Sequence, residues 1–182
     1  MKKIILIAGK ARSGKDTCAN FIADYYKEQG FKVVRDCFAK YIKSYLKDYY
    51  NWDGETKTEE VRSKLQWLGT DRIKEELNYT SFHGRRLAED FKIFEDEFDY
   101  FIVSDTRFRD EIYTMMATFP DKVITIRIDN PNIIEQLTDT QKKHKSENDL
   151  ENFEFDWTIR NDSTLEALQS ISELIAQYNM LY

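Results

Sequence analysis

The residue spacing with the clearest chemical meaning lies near the start of the chain, in IILIAGKARSGKDTCANFI. Residues Gly9 to Lys15 fit the pattern G-x-x-x-x-G-K, in which two glycines let a loop turn sharply and aim backbone N–H groups at one point. A following helix would add its positive dipole end, and Lys15 would neutralise charge on a moving phosphoryl group. The pattern predicts a phosphate-binding loop, and an ordinary strand–turn–helix connection is the alternative.

One residue of this loop departs from the usual pattern. Where Ser or Thr would meet a magnesium ion, the chain has Asp16, with Thr17 one place later. A carboxylate oxygen also suits magnesium, directly or through water, and an acid at a helix start can instead bind free backbone N–H groups. Both roles for Asp16 stay open at this point, and we expect Thr17 to be structural rather than a metal ligand.

A second polar cluster follows the apolar run in DYFIVSDTRFRD. It contains Asp105, Thr106, Arg107 and Arg109. An acid here can hold the waters around magnesium, and an arginine can grip a phosphate through two parallel hydrogen bonds. The cluster therefore predicts a second part of the same site, and a surface group of ion pairs is the alternative.

Three further segments carry weaker signals. Lys40 and Lys43 in FAKYIK lie near the expected rim of the site, or on a solvated helix face. Gly69 and Thr70 in LGTDR are poor helix formers, which indicates close packing or a polar contact, or else a simple helix break. The charged stretch KKHKSEND could close over phosphates, or be a polar loop.

Elements that could position these residues alternate along the chain. Apolar runs in KIILIAG, FKVVRDCFA, DYFIVSDTR and DKVITIRID predict strands, FEFDWTIRN predicts an edge strand, and helical spacing of apolar residues separates them. Thr58 is expected to begin one helix, and Ser163 with Glu166 to form a capping box for the last. This order predicts a parallel sheet with helices on both faces and ligands at the strand ends.

Bulk composition limits the class of protein. The chain has 182 residues, which suits one domain spanning residues 1–182, and its 41% hydrophobic content predicts a globular fold. A net charge of −6 disfavours a general nucleic-acid or membrane-surface binder. Cys18, on a predicted helix, and Cys37, in a predicted strand, are expected to be buried, reduced thiols of a cytoplasmic protein. No apolar run approaches the roughly 20 residues that span a bilayer.

Taken together, the segments resemble a known family. GKARSGKDT, FAKYIK, LGTDRI, YFIVSDTRFRDE and HKSEND with DWTIRNDSTLEAL occur in the same order in deoxynucleoside monophosphate kinases of bacteriophage type. The resemblance implies an α/β, three-layer P-loop NTPase fold, with a five-stranded parallel sheet flanked by helices. It also implies a helical acceptor-binding region at about 39–98 and a lid at about 130–152. An aspartate directly after the loop lysine, as at Asp16, is itself typical of this family.

The same resemblance implies roles for individual residues. ATP and Mg²⁺ would be the cofactors and deoxynucleoside monophosphates the partners, in the cytoplasm or a viral host's cytoplasm, with no nucleic acid or membrane bound and a homodimer allowed. Lys15, Asp105 and Arg107 would be catalytic, and Asp16 and Asp105 would reach the metal. The other expected contacts are Gly9, Ala11, Arg12, Ser13, Gly14, Thr17 and Asn161 for ATP, Lys43, Thr70, Asp71, Arg107 and Arg109 for the acceptor, and Lys142, Lys143, His144 and Glu147 for the lid.

Two other functions remain at this stage. A phosphate-loop kinase of this size could act on dephospho-coenzyme A or phosphomevalonate, because such kinases share the donor half and differ in the acceptor pocket. The chain could also be a nucleotide-binding module without catalysis. The Lys15, Asp105 and Arg107 set argues against the second, since a binding module needs fewer charged groups.

Overall fold

Five parallel strands form one sheet. The computed structural model describes residues 1–56, 58–132 and 148–181. The strands run in the spatial order β2-β3-β1-β4-β5. They are β1 (Lys3–Ala8), β2 (Val33–Asp36), β3 (Tyr100–Thr106), β4 (Val123–Asp129) and β5 (Trp157–Arg160). The central position of β1 explains its uninterrupted apolar run, because both of its faces are buried.

Helical segments connect these strands. They are α1 (Lys15–Glu28), α2 (Lys40–Tyr50), α3 (Glu59–Gln66), a π-helical segment (Trp67–Glu76), α4 (Phe82–Ile93), α5 (Arg109–Thr118) and α6 (Leu165–Leu181). The predicted start at Thr58 is confirmed, because its hydroxyl accepts a hydrogen bond from the Val61 N–H at 3.2 Å. None of the helices in the described part of the chain is long and apolar enough to span a membrane.

The two faces of the sheet carry separate hydrophobic clusters. Ile5 and Ile7 of β1 point to the face covered by α1 and α6. Ile4 and Leu6 point to the opposite face, which α4 and α5 cover. This alternation gives three layers and confirms the predicted α/β fold. The helical region from α2 to α4 spans most of residues 39–98, and its π-helical segment packs beside the carboxyl ends of the strands.

Several local predictions were wrong in detail. Cys37 lies beyond the end of β2 and is only half-buried, because the strand is four residues long. The last helix is capped by Thr164 rather than Ser163, since the Thr164 hydroxyl accepts from the Ala167 N–H at 3.3 Å. Helical spacing predicts a buried apolar stripe on this helix at Leu165, Leu168, Ile171, Ile175 and Tyr178. Leu168 and Ile175 face the core, while the other three side chains are exposed.

Gly9 allows the chain to turn out of β1 while passing close to the backbone of β4. Its φ of +149° is a conformation that only glycine adopts readily, and a Cβ there would lie under 3.0 Å from the Ile128 carbonyl oxygen. The loop after β1 therefore depends on this residue having no side chain.

We expect Gly9→Ala to lower the free energy of unfolding by more than about 2 kcal/mol, because backbone strain adds to the clash. Gly30→Ala is the matched control: its φ is +84° and a Cβ would meet nothing within 4 Å. The control should lose only about 1–2 kcal/mol. Urea denaturation of both variants measures this, and equal losses would contradict the role assigned to the Ile128 contact.

Candidate active site

The loop between β1 and α1 has the geometry of a phosphate-binding loop. Gly14 precedes α1 with a φ of +100°, so the helix begins at Lys15 with its N-terminal N–H groups facing the loop. The Lys15 ammonium donates to the Lys10 carbonyl oxygen at 2.6 Å, which holds it across the loop. The Asn161 side-chain amide donates to the Ser13 carbonyl oxygen at 2.9 Å and fixes the loop from the β5 side.

Asp16 lies at the mouth of this loop. The Ser104 hydroxyl donates to Asp16 Oδ1 at 2.6 Å, and the Arg35 guanidinium lies 3.6 Å from the same oxygen. Arg35 also donates to the Ser104 hydroxyl, at 2.9 Å. The carboxylate accepts no hydrogen bond from a backbone N–H of the described residues, although it lies in the first turn of α1, where the helix dipole favours an acid. Its side chain is 85% exposed and is accessible to a ligand at the loop.

Asp105 joins two strand ends. Its carboxylate accepts hydrogen bonds from the Phe38 N–H at 2.8 Å and the Ala39 N–H at 3.0 Å. These bonds hold the start of α2 against the carboxyl end of β3. Both oxygens are engaged by the backbone, so contact with a metal through water fits this residue better than direct ligation. Within the described residues, no group of three or more His, Cys, Asp or Glu could hold a metal ion.

A cleft of about 440 Å³ opens beside the loop. Predicted site residues from four parts of the chain line it: Ala11, Arg12, Lys15, Asp16, Lys43, Thr70, Asp105 and Arg107. The cleft wall also includes the aromatic rings of Phe38 and Phe108 and the apolar side chains of Ile42 and Leu65. Charged side chains and apolar side chains therefore line the same cleft.

A second, more open recess lies on the other side of the loop. It has a volume of about 280 Å³ and contains Gly14, Thr17 and Asn161 together with Asn130 and Asn132. The loop thus lies between the cleft and this recess.

Some predicted residues lie elsewhere. The Arg109 backbone N–H and side-chain Nε donate to the Asp149 carboxylate and carbonyl oxygen, both at 2.8 Å, and Arg109 does not line the cleft. Asp71 is half-buried and also does not line it. Lys40 pairs with Asp36 at 3.0 Å and Asp90 at 2.9 Å on the helix surface. Lys142, Lys143, His144 and Glu147 lie outside the described residues.

Glu111 is a site residue that the sequence analysis missed. It lines the cleft, is 3% exposed, and accepts through Oε2 from the Arg107 N–H at 2.9 Å and the Phe108 N–H at 3.0 Å. These bonds fix the turn that carries Arg107. Burial raises the pKa of Glu111 to about 8, although the nearby Lys74 ammonium opposes that rise. Its position three residues after Phe108 is a helix-start pattern that could have indicated it.

His83 and Lys74 support the wall opposite the loop. His83 Nε2 lies 3.0 Å from the Gly69 carbonyl oxygen, so this nitrogen carries the proton, and burial lowers the pKa of the ring. Gly69 permits the contact, since a Cβ there would already lie 3.0 Å from Ile42. The buried Lys74 ammonium pairs with Asp110 at 2.7 Å, which ties the π-helical segment to α5. The predicted close packing at LGTDR is confirmed.

The buried carboxyl of Glu111 makes stability depend on pH. The unfolded chain ionises Glu111 near its ordinary pKa of 4.5, whereas the folded chain does so near 8. The unfolded chain therefore binds fewer protons between these values, and the free energy of unfolding falls as pH rises through this window. We expect Glu111→Gln to remove that fall. The difference in free energy of unfolding between the variant and the wild type should therefore shift in favour of the variant from pH 5 to pH 8, by at most about 1.4 kcal/mol per pH unit.

Urea denaturation across this pH range measures the effect. Glu89→Gln is the control, because Glu89 pairs with Arg86 on the exposed surface of α4. Its stability should follow the wild-type pH curve. A Glu111→Gln curve that ran parallel to wild type would contradict the buried, protonated state.

The fold is shared with several solved kinases. An APS kinase from Mycobacterium tuberculosis, in complex with AMPPNP and APS, is 14% identical with a TM-score of 0.55, covering 95% of this chain and 96% of that one. A shikimate kinase from Aquifex aeolicus is 15% identical with a TM-score of 0.52, covering 98% of both chains. A dephospho-CoA kinase from Campylobacter jejuni is 15% identical with a TM-score of 0.53, covering 97% of both. These likenesses concern the fold.

The sequence of the chain identifies its family. No curated protein matches this chain. A family model described as deoxynucleotide monophosphate kinase matches residues 3–61 and 53–171, which is most of the sequence. The matched ranges include the phosphate loop, both walls of the cleft and Asn161. The chain belongs to the deoxynucleotide monophosphate kinase family and is a phosphotransferase built on the P-loop kinase fold.

Proposed function

We propose that this enzyme transfers the terminal phosphoryl group of Mg-ATP to a deoxynucleoside monophosphate bound in the 440 Å³ cleft, giving the diphosphate. One observation carries the proposal: Lys15 of the loop and Arg107 after β3 line the same cleft, whose wall also includes aromatic rings and aliphatic side chains. A nucleoside monophosphate has the matching shape, with an anionic end and a flat base.

The donor would approach from the loop side. Backbone N–H groups of the loop and the start of α1 would hold the phosphates of ATP. The recess that contains Asn161 lies directly beside Gly14, and we assign it to the donor nucleoside. Thr17 also lines this recess, which supports a contact with the donor.

Magnesium would bind between the loop and β3. The accessible Asp16 carboxylate suits direct contact, and Asp105 suits contact through water because backbone N–H groups already occupy its oxygens. When bound, the ion would neutralise charge on the donor phosphates. Ser104 and Arg35 hold the Asp16 carboxylate in place by a hydrogen bond and an ion pair.

Catalysis would consist mainly of positioning and charge neutralisation. Lys15 would stabilise negative charge on the transferring phosphoryl group, and Arg107, with Lys43, would hold the acceptor phosphate in line with it. Thr70 would contact the acceptor further inside the cleft. The site needs no covalent intermediate, since both phosphates can meet in the cleft. Asp71 and Arg109 would act indirectly, Arg109 through its bonds to Asp149.

Two broader features remain proposals. An apolar stripe faces outward on α6 and consists of Ile171, Leu174, Tyr178 and Leu181. This stripe supports pairing of two copies of the chain, and light scattering of the purified chain over a range of concentrations tests the pairing. The two free thiols and the use of ATP support a cytoplasmic location. Fractionation of expressing cells tests the location.

We expect Lys15→Ala to fold normally but to lower kcat by at least about a hundredfold, because an electrostatic contact to the transition state is lost. ADP release in the presence of dTMP, dGMP, dCMP, dAMP and dUMP measures turnover. Lys27→Ala is the control, since Lys27 lies on the exposed surface of α1. If none of the five acceptors stimulates the wild-type enzyme, the proposed function is wrong, and dephospho-coenzyme A and phosphomevalonate become the next acceptors to test.

Arg107→Ala should mainly raise KM for the acceptor, by about tenfold to a hundredfold, because a charge-assisted bond to its phosphate is lost. KM for ATP should change much less. Arg72→Ala is the control, because Arg72 pairs with Glu76 on the exposed side of the π-helical segment. A selective rise in KM for ATP would refute the acceptor role of Arg107.

A further inference from the structure

Two nearly buried side chains that line the cleft each have a polar atom with no hydrogen-bond partner among the described residues. Glu111 is 3% exposed and Thr70 is 5% exposed, and both line the cleft. Glu111 uses Oε2 for its two backbone hydrogen bonds. Its Oε1 and the Thr70 hydroxyl make no hydrogen bond to any other residue in the described ranges, and both side chains line the cleft. A ligand in the cleft can therefore reach both atoms.

The surroundings of these atoms suit a flat, apolar ring. Phe38 and Phe108 supply aromatic surface to the same cleft, and Ile42 and Leu65 supply aliphatic surface. Every nucleobase stacks favourably on such surfaces, whichever polar atoms it carries. Apolar contact of this kind cannot distinguish one base from another, so the choice must come from polar groups.

We propose, on the basis of the proposed function, that Glu111 and Thr70 read the hydrogen-bonding edge of the acceptor base and so determine which deoxynucleoside monophosphates the enzyme uses. A buried polar atom left unpaired by a ligand penalises that ligand strongly. Glu111 is the stronger determinant, because its side chain is held rigidly by two backbone bonds while its second oxygen stays available.

The hydrogen bond that Glu111 can make to the base depends on whether its carboxyl group is protonated. When protonated, Oε1 donates to a base carbonyl, and when ionised it accepts from a base amino group. The Lys74 ammonium and the hydrogen bond from the Arg107 N–H favour the ionised form, and the charges of Asp105 and Asp110 oppose it. On the facing wall, burial lowers the pKa of His83. Burial raises the pKa of Glu111 to about 8, so both the protonated and the ionised form are accessible near that pH.

Glu111→Gln tests the proposal because the backbone fixes the orientation of the amide. The glutamine carbonyl must accept from the Arg107 and Phe108 N–H groups, which leaves its NH₂ group where Oε1 was. That group can only donate. We expect kcat/KM for dAMP and dCMP, whose pairing edges carry an amino group, to fall at least about tenfold relative to dTMP and dUMP.

Thr70→Val provides a second variant of nearly the same shape. It should change the kcat/KM ratios among the five acceptors while leaving KM for ATP unchanged. Glu89→Gln and Thr118→Val are the matched controls, since both residues lie on exposed helix surfaces and make only local contacts. Each variant is also tested for its thermal stabilisation by every monophosphate without ATP, which reports acceptor binding directly.

The outcomes separate this inference from the proposed function. A shift in the acceptor ratios, in kinetics or in thermal stabilisation, supports the inference. A uniform loss for all five acceptors would mean that Glu111 only positions the Arg107 turn, and unchanged ratios in both variants would mean that the base edge lies elsewhere; either result overturns it. Absence of turnover in the wild type would reject the proposed function, while the binding measurements would still decide the inference.

Discussion

The Asp105 carboxylate makes the contact on which the geometry of the cleft depends. It lies near the carboxyl end of β3 and accepts the N–H groups of Phe38 and Ala39, at 2.8 and 3.0 Å, where the chain leaves β2 for α2. Without this contact, two N–H groups at the start of α2 would lack partners, and the helix could swing away from the loop. A charge-assisted bond to a carboxylate is among the stronger hydrogen bonds in proteins. The position of Lys43 on α2 follows from it.

A second carboxylate organises the opposite wall in the same way. Glu111 holds the N–H groups of Arg107 and Phe108, and so sets the turn between β3 and α5. The Lys74 ammonium, paired with Asp110 and lying 3.7 Å from the centre of the Phe108 ring, joins the π-helical segment to this turn. Carboxylates that accept hydrogen bonds from the backbone therefore fix the walls of the cleft, and basic side chains line it. This division suits a site that must bind two polyanions and keep its shape.

Local signals were reliable where one residue type alone satisfies a local requirement. The glycines of the phosphate loop, the apolar run of β1 and the Thr58 cap were all predicted correctly, because backbone conformation, burial on two faces and free N–H groups each leave a distinct sequence pattern. Predictions failed where neighbours compete. Ser163 and Thr164 are adjacent residues that could each cap the helix, and in the structure the Thr164 hydroxyl accepts the Ala167 N–H. The length of β2 likewise depends on where the hydrogen bonds to Asp105 direct the chain into α2.

The sequence alone was sufficient to predict the order of strands and helices, the loop at Gly9–Lys15, and the family. Each of these depends on residues that are close in the chain, or on segments that recur in a recognisable order. Only the tertiary structure could reveal that Asp105 binds backbone, that Arg109 contacts Asp149 rather than the cleft, and that Glu111 lines the cleft. A charged residue in the sequence does not indicate its partner. The partner is set by which helices the sheet brings together, and by how much water their packing excludes.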